Sequence, residues 1–212
     1  MVGLPFLALK LLFTRPKLFA LATFPGVFTF ALSSVVTYLG WELLLQGYTL
    51  WLSVPFMMMI FLLSWLLIGN ISLIPVEDPI ADECQKAYWG ELRLPAARMS
   101  FRRIFRELGY SLLLAAAGIF FFLLTFLPVF GWFSFLLAAW ITAYGFLSPL
   151  YARKEEHISG RMRLFFANAG SNFALGFVIN FMLFVPILNV FLLGYAQILA
   201  TLLFLRRESA KN

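Results

Sequence analysis

The charged residues of this 212-residue chain leave four long gaps, and those gaps restrict the fold more than any motif does. No Asp, Glu, Lys or Arg occurs from Leu18 to Trp41 (24 residues), Leu43 to Val76 (34), Leu108 to Ala152 (45) or Leu164 to Leu205 (42). A helix needs about 20 apolar residues to cross the roughly 30 Å hydrocarbon core of a bilayer, so each gap is long enough to span it. The last two are long enough to cross twice or to fold back as hairpins. Charged residues make up 12% of the chain against about a quarter in a globular domain, and 26 Phe would leave large apolar patches on any water-facing surface. A soluble domain and a disordered chain are excluded. So is a disulfide-built fold, since Cys84 is the only cysteine. The chain reads as an all-α integral membrane protein with one membrane domain over residues 1–212.

The first gap, 18–41, is a span preceded by Lys10, Arg15 and Lys17 and closed by no small-x-small cleavage pattern. It reads as an uncleaved anchor with a cytoplasmic N-terminus. Residues 1–14, with Leu4, Phe6, Leu7, Leu11 and Leu12, are expected as a short helix at the interface. A second span is placed at 50–74. The connector between the two spans has Trp41, Tyr48 and Trp51 around Glu42 and Gln46, an aromatic belt with no Lys or Arg. All 16 Lys and Arg lie elsewhere: three before the first span, six between the second and third gaps, four before the fourth gap and three after it. If both long gaps return to their own side, every cation and both termini are cytoplasmic, as the positive-inside tendency prefers. The net charge of +6 therefore points to a membrane surface rather than to nucleic acid.

The midpoints of the long gaps read Phe126-Leu127-Pro128-Val129-Phe130-Gly131-Trp132 and Phe184-Val185-Pro186-Ile187-Leu188-Asn189-Val190. Pro128, Gly131, Pro186 and Asn189 demand turns, yet the flanking residues are apolar, unlike loops in water. Two hairpins, 108–152 and 164–205, are therefore read as re-entrant, with tips covered by protein because unpaired backbone in hydrocarbon costs several kcal/mol per group. Six ordinary spans are the alternative. The matched positions of Pro128 and Pro186 also allow a loose internal repeat.

Residues 77–107 are expected as cytoplasmic amphipathic helices. Asp78-Pro79 reads as an N-cap and first helical residue, and Asp82 is spaced to pair with Lys86. Arg98, Arg102 and Arg106 fall on one helical face, with Arg103 beside them. This stripe can hold anionic lipid head groups, or gather small anions with guanidinium forks. Glu77, Asp78, Asp82 and Glu83 are expected to pair with arginines rather than with a metal ion. His157 lies in a charged turn and Cys84 has no companions, so neither is expected to be catalytic. No phosphate-binding loop, nucleophile elbow, zinc-protease or dinucleotide motif occurs. An enzyme is disfavoured, and no cofactor or metal is expected. Uncharged polar residues within the gaps, among them Ser33, Ser72, Asn172, Asn180 and Gln197, are expected to bond helix to helix. The lack of an intramembrane carboxylate argues for a passive path rather than a proton relay.

Several motifs in order carry a family resemblance: Arg15-Pro16 followed by Pro25, Ile74-Pro75-x-x-Asp78-Pro79-Ile80-Ala81-Asp82-Glu83, Arg106-Glu107, Leu127-Pro128-Val129-Phe130-Gly131, Ala139-Trp140, Asn172-Phe173-x-x-Gly176-Phe177 and Pro186-Ile187-Leu188-Asn189. From about Leu9 to Arg206 the chain resembles the CysZ sulfate permeases, which share their domain with the eukaryotic etoposide-induced membrane proteins. The resemblance implies two spans, two half-penetrating hairpins, a homo-oligomer and sulfate movement across a bacterial inner membrane. The permeases carry Gly-Leu-Arg, often with a second Arg, after the Arg-Pro pair. Here Phe19 and Ala20 stand where arginines are expected, and Lys17 supplies a point charge without a bidentate fork.

Two functions follow. One is a permease or channel for a small oxyanion, sulfate first, with Arg15, Lys17, Arg98, Arg102, Arg103 and Arg106 binding or collecting the anion. The other is a membrane scaffold that organises lipids through anionic head groups and does not transport.

Overall fold

The computed structural model describes residues 3–45, 50–92, 94, 101–124, 131–154, 157–183 and 189–210. Among them there is no strand. The helices are α1 (Leu4–Thr14), α2 (Pro16–Gly40), α3 (Leu50–Trp89), α4 (Phe101–Leu124), α5 (Gly131–Ala152), α6 (Ile158–Phe166), α7 (Ala169–Leu183) and α8 (Asn189–Ser209). A π-helical turn, Trp41–Leu45, extends α2. The fold is an all-α membrane protein, as its sequence predicts.

Two stretches, Pro16–Leu44 and Gly131–Ala152, are each long and apolar enough to cross a membrane. A third candidate, α3, is bent by 41° between Ser53–Gly69 and Ile71–Trp89. Pro75 accounts for a bend there: it lacks an N–H for the Ile71 carbonyl, and its ring crowds that carbonyl one turn back. Ser72 Oγ, at the same level, bonds Thr29 Oγ1 at 2.8 Å and the Pro25 carbonyl of α2 at 3.3 Å, so polar groups at two proline sites satisfy one another. The α2–α3 pair is antiparallel. Lys17 meets Glu83, Thr29 meets Ser72, and Gly40 lies against Ile60.

The helix boundaries correct one sequence expectation. Asp78-Pro79 does not start a helix; α3 runs through it to Trp89. The Asp78 carboxylate is held by Arg153 instead of capping a helix end. The apolar part of α3 still ends at Val76, and the residues from Glu77 onward carry the acids that meet the rest of the bundle's charged end. The last seven residues of 77–107 belong to a different helix, α4, which begins at Phe101.

α8 forms the centre. Every described side chain from Gly194 to Leu205 is buried, because α1, α2, α3, α5 and α7 all pack on it. A Cβ at Gly194 would collide with the backbone of Ala22, and one at Gly176 with the Ala139 carbonyl, so α2–α8 and α5–α7 cross at backbone contact. Small residues at crossings are the usual device of membrane bundles, where packing rather than water exclusion drives association. Thr142 Oγ1 donates to Asn180 Oδ1 at 2.8 Å, a second link between α5 and α7 of the helix-to-helix kind expected for Asn180. Trp140 packs against Phe165, Phe166 and Phe173 at the same junction.

α1 is a helix, as expected for residues 1–14, with two different faces. Leu4, Ala8 and Leu12 are buried, and Tyr195 Oη of α8 donates to the Pro5 carbonyl at 3.0 Å. Phe6 and Phe13 are exposed. Gly131 is the first residue of α5 and Asn189 the first of α8; the other two residues expected at the hairpin tips, Pro128 and Pro186, lie outside the described residues. α7 has 15 described residues, a rise of about 22 Å, and together with α6 it is long and apolar enough for a broken span or a re-entrant loop. α6 leads into it at 89°. The 22 residues of α5 suffice to cross on their own.

Candidate functional site

The start of α2, the ends of α3, α5 and α8 and the start of α7 meet at one end of the bundle, and ion pairs between described residues lie there. At its centre is Arg153, just past α5, whose side chain is 0% exposed. Its Nη2 donates to Asp78 Oδ1 at 2.8 Å and to the Asp78 carbonyl at 3.0 Å; Nε reaches the same Oδ1 at 3.2 Å. Its Nη1 donates to Asp82 Oδ1 at 2.7 Å. One guanidinium thus joins two successive turns of α3 to α5, the fork geometry at which arginine surpasses lysine.

Asp78 and Asp82 therefore pair with arginine, as expected for these acids, but Asp82 does not pair with Lys86. Lys86 Nζ reaches Glu83 Oε1 at 3.4 Å, because Arg153 occupies Asp82. Lys17 Nζ reaches that same Glu83 oxygen at 2.6 Å. The Lys17 hydrogen bond holds the Glu83 carboxyl below its ordinary value of 4.5, although burial works against it. Lys154 pairs with Glu208, and Trp89 Nε1 donates to Ser209 Oγ at 2.8 Å, which ties the last turn of α8 to the same layer. Cys84 is fully buried in this part of α3, and burial pushes its thiol up to about 12. His157 is exposed before α6.

The anion-binding residues expected from sequence divide among several places. Arg15 sits at the extended junction between α1 and α2 and is exposed. Lys17, the second residue of α2, has 68% of its side chain exposed and is engaged by Glu83. Arg106 is exposed in α4. Arg102 and Arg103 belong to the first turn of α4, and Arg98 lies outside the described residues. Arginines not chosen from sequence are better integrated: Arg153; Arg161, buried in α6; and Arg207, which donates to Tyr151 Oη at 3.4 Å and to Ser171 Oγ. Arg153 closes one apolar run and Arg207 follows the end of another, positions that signal a bilayer boundary but not a partner.

The opposite end is different. An open cavity of about 500 Å³ there is lined by Ser34, Thr37, Tyr38, Trp41, Glu42, Val54, Met57 and Phe61, nearly all apolar surface. Trp51 and Trp132 are exposed, as suits side chains that anchor at a membrane interface. Among the described residues no cluster of His, Cys, Asp and Glu could hold a metal ion.

Apolar helices, backbone-close crossings and charge confined to helix ends define an all-helical integral membrane protein. The family model described as sulfate transporter CysZ/etoposide-induced protein 2.4 matches residues 4–193, nearly the whole chain. The chain belongs to this transporter-type family. No curated protein matches it.

Proposed function

We propose that the protein is a permease or channel for a small inorganic oxyanion, with sulfate as its first substrate, in a bacterial inner membrane. The observation that carries the proposal is family membership over residues 4–193 combined with exposed Arg15 at the junction leading into the first span. Arg15, Arg106 and the partly neutralised Lys17 raise the local anion concentration at the charged end, with Arg98, Arg102 and Arg103 extending that field. This end faces the cytoplasm, both termini with it, in accord with the bias of cationic loops toward that side. The translocation route uses neutral polar groups rather than an intramembrane carboxylate. A homo-oligomer would cover the second hairpin, whose first arm is bent by 89° between α6 and α7.

Reconstituted protein should carry labelled sulfate into liposomes, and Arg15→Gln should lower that flux. Flux equal to that of empty liposomes would overturn the proposal.

The second reading is a lipid-organising scaffold. The occupation of Lys17 by Glu83, with Phe19 and Ala20 in place of family arginines, favours it. Selective retention of anionic lipid by purified protein, without sulfate flux, would establish the scaffold reading over transport.

A further inference from the structure

Arg207, near the end of α8, is a half-buried cation whose hydrogen bonds go only to neutral groups. Its Nη1 donates to Tyr151 Oη at 3.4 Å and its Nη2 to Ser171 Oγ. Among the described residues no carboxylate lies within ion-pair distance of it. Arg153 has two carboxylates, and Glu208, next to Arg207 in the chain, is taken by Lys154. A guanidinium drawn out of water without a counter-charge is costly, and burial accordingly pushes Arg207 below its ordinary value.

The surrounding groups come from three helices and have bonding capacity to spare. Tyr151 Oη, on α5, accepts from Arg207 and from Asn172 Nδ2, the latter at 3.4 Å, which leaves its own hydrogen for an acceptor. Ser171 and Asn172 lie in the first turn of α7, where backbone N–H groups and the helix dipole favour negative charge. Asn172 is fully buried. Its Nδ2 donates to the Phe165 carbonyl at 2.7 Å, while its Oδ1 has no partner among the described residues. Buried polar atoms in folded proteins are nearly always satisfied, so this one leaves room for a donor that the described residues do not supply.

We propose that Arg207, Tyr151, Ser171 and Asn172 form a binding site for a tetrahedral oxyanion, sulfate or phosphate, taken free from solution or as the phosphate of a lipid head group. The guanidinium supplies the charge and the fork, and Tyr151 supplies a hydroxyl donor. A water carried with the anion, or an acidic hydroxyl on phosphate, supplies a donor for Asn172 Oδ1. The site deepens the oxyanion reading above and rests on it for the choice of ligand, but it uses helices other than the one Arg15 leads into.

The full chain, in nanodiscs of phosphatidylcholine, is titrated with labelled sulfate and with inorganic phosphate; a parallel set of discs contains phosphatidic acid. Saturable binding of at least one of these three is expected, weakened about tenfold by Arg207→Gln and about threefold by Ser171→Ala. Binding of free ions in phosphatidylcholine discs assigns the ligand to solution; binding of phosphatidic acid alone assigns it to the lipid, and either supports the site. If Arg207→Gln does not fold, Ser171→Ala and Arg207→Lys decide, and both should weaken binding. Wild-type affinity in the Gln variant, or in both of the others where it does not fold, overturns the site. So does the absence of binding to all three ligands. Sulfate flux measured in parallel keeps the two claims apart. Flux with unchanged binding in Arg207→Gln removes the site and leaves transport, whereas Arg207-dependent binding without flux does the reverse.

Discussion

Arg153 holds Asp78 through two guanidinium nitrogens on a single carboxylate oxygen, at 2.8 and 3.2 Å, and through the Asp78 carbonyl at 3.0 Å. The arginine is wholly buried, whereas the Asp78 side chain keeps 18% of its exposure and that of Asp82 30%. The arrangement fixes the end of α5 against α3 beyond the proline-bent region, where α3 has fewer backbone bonds of its own to keep it straight.

Arg153→Ala should destabilise the protein by about 3 kcal/mol, since removing one partner of a buried pair leaves the other charge uncompensated. Asp82→Asn should cost less, because Asp78 still serves the guanidinium. Thermal unfolding in detergent checks the order. Equal stability of wild type and Arg153→Ala would contradict it.

Gly176→Ala should destabilise by about 1–3 kcal/mol, as expected where an added methyl forces two backbones apart. Gly145→Ala, in α5 with nothing within 4 Å of its new Cβ, should be neutral or slightly stabilising. Comparison of the two melting temperatures isolates the crossing contact from helix propensity.

Cys84 should resist maleimide at pH 8 in the folded protein and react once the chain is denatured. A thiol raised to about 12 holds on the order of one thiolate in ten thousand at that pH, and its sulfur is fully buried. Mass spectrometry of the labelled protein reads the difference. The same inertness lets single cysteines placed at Val129 and Ile187 report tip accessibility against a silent background.

Glu83 should make stability fall in acid. Its folded-state value lies below the ordinary 4.5, so the stabilisation from Lys17 is complete above about pH 4.5 and is lost as pH falls through the depressed value. Lys17 is 68% exposed, which limits the effect to less than about 1 kcal/mol. Glu83→Gln should flatten this part of the pH–stability curve and leave the region above pH 6 unchanged in slope.

Much of the architecture is legible from charge spacing. The run from Leu18 to Trp41 becomes the core of the first spanning helix, and Gly131 and Asn189 each stand first in a helix. The site is less legible. Lys86 lies four residues from Asp82, a good local pair, but Arg153 comes from 71 residues away and displaces it. Asp78-Pro79 has the local form of a helix start, yet α3 runs through it and the Asp78 carboxylate is held by a guanidinium 75 residues away. Arg207 and Tyr151 are 56 residues apart, and nothing in their spacing foretells contact.

By itself the chain's order of residues determined what each segment can tolerate: long stretches without charge can lie only in lipid or against protein, and proline and glycine mark where helices bend or begin. Which cation meets which acid, and which helices touch at Gly176 and Gly194, was decided only when the helices packed. Transfer from water acts on each segment alone, whereas ion pairs and close contacts depend on distances between segments that folding creates.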